Sequence, residues 1–131
     1  MSKWITRSLA QEIKKRINQY PILAVTGPRQ SGKTTLLKVL FPDYTYVSLE
    51  NPDNRSFATE DPNGFLKHYS GQVILDEVQR VPKLFSFLQT AVDESGEMGK
   101  YILSGSQNFH LLKSITQSLA GRVALFRLLP L

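Results

Sequence analysis

The chain has 131 residues, a length typical of one domain, and its 41% content of hydrophobic residues argues against disorder. It contains no cysteine, which excludes a disulfide framework, thiolate metal sites and a cysteine nucleophile. The net charge of +5 suits a polyphosphate or a nucleic acid, but only the run 14–16 clusters basic residues, and a solvated helix face explains it. No apolar stretch is long enough to span a membrane and residues 1–4 lack a secretory core, so we expect a cytoplasmic protein without membrane association.

The first predicted helix and strand lead into a phosphate-binding motif. Ser8 is a candidate N-cap, and apolar residues recur after it at helical spacing: Leu9, Ile13 and Ile17. Residues 22–25 predict a short buried strand, and residues 34–40 predict a helix. Between them, residues 27–34 form a complete G-x-x-x-x-G-K-[ST] sequence, in the strand–turn–helix order that this motif needs to bind phosphate.

The motif predicts a nucleotide site in which backbone N–H groups and a helix N-terminus face phosphate oxygens. The residues expected to bind the nucleotide are Gly27, Pro28, Arg29, Gln30, Ser31, Gly32, Lys33, Thr34 and Thr35. Lys33 is expected to reach the β- and γ-phosphates, and the Thr34 hydroxyl is expected to bind Mg²⁺.

Further apolar runs predict four more strands and three more helices. The strands cover residues 44–49, 72–77, 101–103 and 123–131. The helices begin at Asp61-Pro62, at Pro82 and at Phe109, whereas residues 50–61 are expected to be mostly loop. Because the last strand is apolar up to residue 131, we expect residues 1–131 to be one N-terminal domain of a longer protein.

Short apolar strands that alternate with helices predict an α/β fold, a three-layer αβα sandwich around a mostly parallel five-stranded sheet. Ligands of such sheets bind at the carboxyl ends of the strands. Three polar segments fall at these ends: the phosphate loop, the Asp76-Glu77 pair and residues 104–107. The sequence therefore predicts one active site at this edge of the sheet.

Two acids after an apolar strand are typical of the Walker B pattern. Asp76 is expected to bind Mg²⁺ directly or through water. Glu77 is expected to orient and deprotonate a water that attacks the γ-phosphate, and the alternative is a pair of surface acids. A polar sensor of the γ-phosphate is expected after the fourth strand, where Ser106 is our candidate and the alternatives are Ser104, Gln107 and an ordinary turn.

Several charged or titratable side chains allow two interpretations. Arg122 follows a glycine that ends the last helix, so it is a candidate arginine finger toward its own or a neighbouring subunit's nucleotide. The alternative is a cation that complements a helix C-terminus. Arg29 and Arg80 are further cations expected near the phosphates, whereas His68 and His110 lack metal-ligand spacing and are interpreted as solvated or core residues.

Five segments in order resemble one group of bacterial and archaeal AAA-type ATPases, and the likeness runs from about residue 21 to the end. They are residues 27–35, 49–52, 74–79, 103–106 and 119–123. The resemblance implies a P-loop fold with a catalytic glutamate and an extra strand between the two Walker strands. It also implies ATP with Mg²⁺ as ligands, with Lys33, Thr34, Asp76 and Glu77 at the family's active positions. Members of this group usually continue into a large, uncharacterised C-terminal domain.

These observations favour an ATP-binding domain that hydrolyses Mg-ATP, weakly in isolation, as a switch or motor module of a larger protein. Two alternatives stay open: a non-hydrolysing, ATP-dependent interaction module, and a small-molecule P-loop kinase. A GTPase is disfavoured because the sequence has no [NT]-K-x-D motif. The expected partners are a nucleotide, further copies of the chain or a partner recognised by a C-terminal domain. A nucleic-acid partner stays open but is unsupported, because the basic residues of the chain do not form a larger cluster than 14–16.

Overall fold

The computed structural model describes residues 7–28 and 32–128 of the chain. The strands are β1 (Ile22–Thr26), β2 (Thr45–Ser48), β3 (Val73–Asp76), β4 (Tyr101–Gly105) and β5 (Val123–Arg127). The helices are α1 (Arg7–Arg16), α2 (Lys33–Leu40), α3 (Pro52–Glu60), α4 (Pro62–His68), α5 (Leu84–Ser95) and α6 (Phe109–Ser118). A 3-10 turn, Val78–Arg80, lies between β3 and α5.

The five strands form one parallel sheet in the order β2-β3-β4-β1-β5. At the carboxyl end of β1, Thr26 lies opposite Gly105 of β4 on one side and opposite Arg127 of β5 on the other. Because β4 separates β1 from β3, the strand that precedes the phosphate loop does not pair with the strand that carries Asp76. The predicted α/β sandwich and the extra strand implied by the resemblance are therefore confirmed.

Side chains of the strands alternate between two apolar clusters, one on each face of the sheet. The first cluster joins α1 and α2 to the sheet and includes Ile13, Leu36, Leu37, Leu23, Ile74 and Ile102. The second joins α4, α5 and α6 to the opposite face and includes Phe65, Leu84, Leu88, Ile115, Leu75 and Leu103. Because Asp76 follows Ile74 by two positions, and Ser104 follows Ile102 by two, both polar side chains emerge on the α2 face.

The prediction that residues 50–61 are mostly loop is wrong, because Pro52–Glu60 forms helix α3. Asn51 caps this helix: its side-chain oxygen accepts hydrogen bonds from the backbone N–H groups of Asp53 and Asn54, at 2.9 and 3.1 Å. Of its residues only Ala58 is buried, so the helix lacks the apolar stripe by which a sequence pattern reveals a helix.

Other boundaries shift by a few residues. Ser8 lies within α1 rather than before it. The helix expected from Pro82 begins at Leu84, after the 3-10 turn. Asp61 caps α4 as predicted, accepting a hydrogen bond from Gly64 N at 3.0 Å. The last strand ends at Arg127, and residues 129–131 of the predicted run lie outside the described residues.

Candidate active site

The predicted phosphate loop connects the end of β1 to the start of α2. The Gly27 amide donates to the Gly105 carbonyl at 3.2 Å, which joins the beginning of the loop to β4. Gly32 precedes α2 with a φ of 82°, in the left-handed region where a side chain costs about 1 kcal/mol. Arg29, Gln30 and Ser31 lie outside the described residues, so their phosphate contacts stay predictions.

Lys33 is the first residue of α2, and only 5% of its surface is exposed. Its Nζ donates to the Pro28 carbonyl at 3.4 Å, so the side chain folds back across the loop. Burial of an ammonium group costs free energy unless strong partners compensate, and a neutral carbonyl at this distance is a weak one. A phosphate in the loop would supply a stronger partner. Thr34 is half-buried beside the sheet, whereas Thr35 is exposed.

Asp76, at the end of β3, is only 6% exposed and is the centre of the site. Its Oδ2 accepts from the Thr34 hydroxyl at 3.1 Å and from the Tyr46 hydroxyl at 2.5 Å. Its Oδ1 accepts from the Ser104 hydroxyl at 2.6 Å and from the Glu77 amide at 3.0 Å. A buried carboxylate is expected to be paired or hydrogen-bonded, and these donors from four different segments fix its orientation.

Tyr46 is a candidate site residue whose sequence pattern predicts only its place in a strand. It lies opposite Ile74 in the β2–β3 register, so its side chain shares the α2 face with Asp76. Burial, and secondly the hydrogen bond to Asp76, raises the pKa of Tyr46 well above its ordinary value, which keeps the phenol protonated as a donor. The Lys38 ammonium lies 3.9 Å from the centre of the Tyr46 ring, so α2 also covers the ring.

The Thr34 and Asp76 oxygens fit a magnesium ion. Mg²⁺ binds oxygen ligands at about 2.1 Å in octahedral geometry, which places adjacent ligands about 3 Å apart. The Thr34 Oγ1 and Asp76 Oδ2 atoms are 3.1 Å apart, so the two could occupy adjacent positions on one ion. Among the described residues no group of three or more histidines, aspartates and glutamates forms a metal cage.

Glu77 adopts a left-handed backbone conformation with φ 56° and ψ 46°, immediately after the strand. This conformation is costly for a residue with a side chain, and such strain is concentrated at functional sites. The Glu77 Oε2 atom accepts a hydrogen bond from the Gln79 side-chain amide. Gln79, in the 3-10 turn, is the second residue near the site for which the sequence pattern predicts no role.

The three polar candidates near the end of β4 lie in different positions, with Ser104 inside the strand and Ser106 and Gln107 after it. Ser104 is 1% exposed and donates to Asp76, so it supports the carboxylate. Ser106 lies beside Gln79: its backbone amide donates to Gln79 Oε1 at 3.3 Å, and its hydroxyl accepts from Asn108 at 3.0 Å. Gln107 is exposed. The role of Ser106 as sensor stays a prediction.

Arg122 lies at the amino ends of the strands, whereas the phosphate loop lies at their carboxyl ends. It precedes β5, whose first residue pairs with Ile22 at the beginning of β1. Its guanidinium forms a bidentate ion pair with Asp93 of α5, at 2.7 and 2.8 Å. This placement does not bring Arg122 to a nucleotide in the same subunit, so the arginine-finger hypothesis stays a prediction only for a neighbouring subunit.

The remaining candidates, Arg80, His68 and His110, are exposed to solvent. Arg80 is exposed at the end of the 3-10 turn. His68 stacks edge-on against Phe57 and Tyr69, with ring centres 5.7 and 4.8 Å away. His110 is exposed at the start of α6.

Fold and site together define a P-loop ATPase-like domain of the AAA type. Residues 19–131 match the sequence model of a family described as an AAA domain, and the chain belongs to this family. It is similar to the uncharacterised proteins Mb2031c of Mycobacterium bovis and Rv2008c of Mycobacterium tuberculosis, each 35% identical over 125 residues. The alignment covers 93% of this chain but only 28% of either relative, so the chain spans less than a third of their length.

Solved structures show the same fold at low sequence identity. The Walker-type ATPase PABY2304 of Pyrococcus abyssi superposes with a TM-score of 0.64 at 17% identity, covering 95% of this chain and 53% of that one. The RuvB Holliday junction branch migration motor of Thermotoga maritima superposes with a TM-score of 0.54 at 14% identity, covering 95% and 45%. In the described residues, no helix has both the length and the apolar character needed to cross a membrane.

Proposed function

We propose that this domain binds ATP with Mg²⁺ in the loop 27–35 and hydrolyses it, as a cytoplasmic switch or motor module of a longer protein. The observation that carries the proposal is the 3.1 Å contact between the Thr34 hydroxyl and Asp76. This contact joins the end of the phosphate loop to the carboxylate of the Walker B strand, the two groups that would share one magnesium ion.

The chemistry follows from the order of groups along the carboxyl edge of the sheet. Lys33 and the amides of the loop would neutralise the phosphates, and Thr34 and Asp76 would hold Mg²⁺, which would supply further positive charge to the triphosphate. Glu77 would accept a proton from water as the water oxygen bonds to the γ-phosphorus. The bond to the β-phosphate oxygen breaks in the same reaction, which releases ADP and phosphate.

Hydrolysis and binding are tested separately. Wild-type protein should release phosphate from Mg-ATP, and Glu77→Gln should reduce the rate at least a hundredfold while the Kd for ATP changes less than threefold. Glu94→Gln, an exposed glutamate on α5, is the matched control and should keep the wild-type rate.

Three outcomes would contradict parts of the proposal. Tight ATP binding without phosphate release by wild-type protein, even when concentrated, would favour a non-hydrolysing interaction module. Transfer of labelled phosphate to an added small acceptor would favour a kinase. Unchanged phosphate release by Glu77→Gln would exclude Glu77 as the base.

A further inference from the structure

The Gln79 side chain bridges two segments of the proposed active site. Its Nε2 donates to Oε2 of Glu77, and its Oε1 accepts from the backbone amide of Ser106 at 3.3 Å. Both ends of the carboxamide are therefore engaged, which fixes its orientation. One hydrogen bond holds the proposed base, and the other holds the segment that follows β4.

Gly105 provides the space that this bridge occupies. A Cβ atom built on Gly105 would lie 2.4 Å from Gln79 Oε1 and 2.9 Å from Leu111 Cδ2. Gly105 is not among the described glycines with positive φ, so its backbone conformation does not itself require glycine. Glycine at position 105 therefore leaves the space that the Gln79 carboxamide occupies.

We infer that Gln79 is a positioning residue that orients Glu77 for water activation and couples it to the segment carrying Ser106. The inference rests on the proposed function, because it assigns Glu77 the role of base. The Gln79 hydrogen bond engages Oε2, so Oε1 is the oxygen that accepts the water proton. Without Gln79 the Glu77 side chain would sample further rotamers, and a misplaced catalytic group lowers kcat more than it lowers substrate affinity.

The first test is a comparison of kcat and KM. Gln79→Ala should lower kcat for ATP hydrolysis about ten- to a hundredfold and change KM and the Kd for ATP less than threefold. Gln79→Glu should lower kcat at least as much, because a carboxylate cannot donate to Glu77. Gln117→Ala, an exposed glutamine on α6, is the matched control. A Gln79→Ala protein with wild-type or higher kcat would overturn the inference.

The second test asks whether Gly105 acts through Gln79. Gly105→Ala should lower kcat at least as much as Gln79→Ala does, because the new Cβ would displace the carboxamide and also approach Leu111. The double variant should lose less than the product of the two single losses, because the bridge is already lost in Gln79→Ala. The control is Gly71→Ala, since a Cβ at Gly71 meets nothing within 4 Å. Additive losses in the double variant would contradict the coupling. If Gly105→Ala fails to fold, the Gln79 variants still decide the question.

A third measurement needs no hydrolysis. In nucleotide-free wild-type protein, NMR should show slow hydrogen exchange of the Ser106 backbone amide, and Gln79→Ala should accelerate it at least tenfold. Equal exchange rates in both proteins would overturn the bridge. Absence of phosphate release by wild-type protein, together with a protected Ser106 amide, would instead reject the proposed function and leave the bridge in place.

Discussion

Tyr46 and Asp76 lie on the paired strands β2 and β3, and the tyrosine hydroxyl donates to carboxylate Oδ2 at 2.5 Å. The same oxygen accepts from Thr34 at 3.1 Å. A metal ion that binds Thr34 and Asp76 would therefore meet a carboxylate whose orientation is already fixed by Tyr46 of the edge strand β2. Tyr46 would then orient the Asp76 carboxylate without needing to contact the ion, as second-layer partners of metal sites commonly do.

Tyr46→Phe should destabilise the nucleotide-free protein by about 1.5 kcal/mol, because it removes a hydrogen bond to a buried charged group. Urea denaturation at neutral pH would measure the change. The control is Tyr69→Phe, which keeps the ring that packs on Phe65 and His68 and should change the free energy of unfolding by less than about 0.5 kcal/mol. Equal stability of wild-type protein and Tyr46→Phe would show that the hydrogen bond is not formed in solution.

Lys33→Ala should abolish stabilisation by Mg-ATP. A ligand that binds only the folded state raises the melting temperature, and Lys33 is the buried cation expected to meet the phosphates. Thermal melts with and without Mg-ATP would detect the loss. Lys15→Ala, an exposed lysine on α1, should retain the full shift. A wild-type shift in Lys33→Ala would place the nucleotide elsewhere.

Ser104→Ala and Ser106→Ala should have different effects. Ser104 is buried and donates to Asp76, so its replacement should lower the free energy of unfolding by about 1–2 kcal/mol. Ser106 is less buried, and its replacement should change the free energy of unfolding by less than about 0.5 kcal/mol. If Ser106 senses the γ-phosphate, the same replacement should lower kcat. Urea denaturation and phosphate-release assays would distinguish the two effects. A Ser104→Ala protein as stable as wild type would contradict the supporting role of the Ser104 hydrogen bond to Asp76.

The Asp93–Arg122 pair should contribute to stability only above acidic pH. The Arg122 hydrogen bonds hold the pKa of Asp93 below its ordinary value of 3.8. Because the folded state favours the ionised carboxylate, the contribution is present above pH 3.8 and is lost as the pH falls through the lower, folded-state pKa. Urea denaturation of wild-type and Asp93→Asn proteins should show a small difference at pH 7 that shrinks as the pH falls. A difference that grows in acid would contradict this.

The sequence predicted the sheet and its helices well because buried strands and amphipathic helices leave apolar patterns. The location of the site at the carboxyl ends of the strands was also predicted from the sequence. Asp76 comes at the end of one apolar run, and the phosphate loop follows another. Helix α3 was missed because only Ala58 is buried, so the capping by Asn51 determines the structure without leaving an apolar period. An Asn-Pro pair is also typical of turns, which favoured the loop interpretation.

Tyr46 and Gln79 could not be assigned from the sequence for a different reason. The proposed roles of both rest on contacts with residues of other strands or loops, and those contacts depend on register. Tyr46 faces Asp76 only because β2 pairs with β3 with Ser48 opposite Asp76. Gln79 reaches Ser106 only because Gly105 leaves room for it. Single-residue patterns carry no information on such pairings.

The inner position of β1, between β4 and β5, has a consequence for biosynthesis. Both neighbours of this strand, β4 and β5, are encoded far downstream, at Tyr101–Gly105 and Val123–Arg127. A nascent chain therefore carries an apolar strand without either of its sheet partners until residues 101–105 have left the ribosome. During that interval β1 is exposed to pairing with other chains, and its second side stays unpaired until residue 127 has emerged.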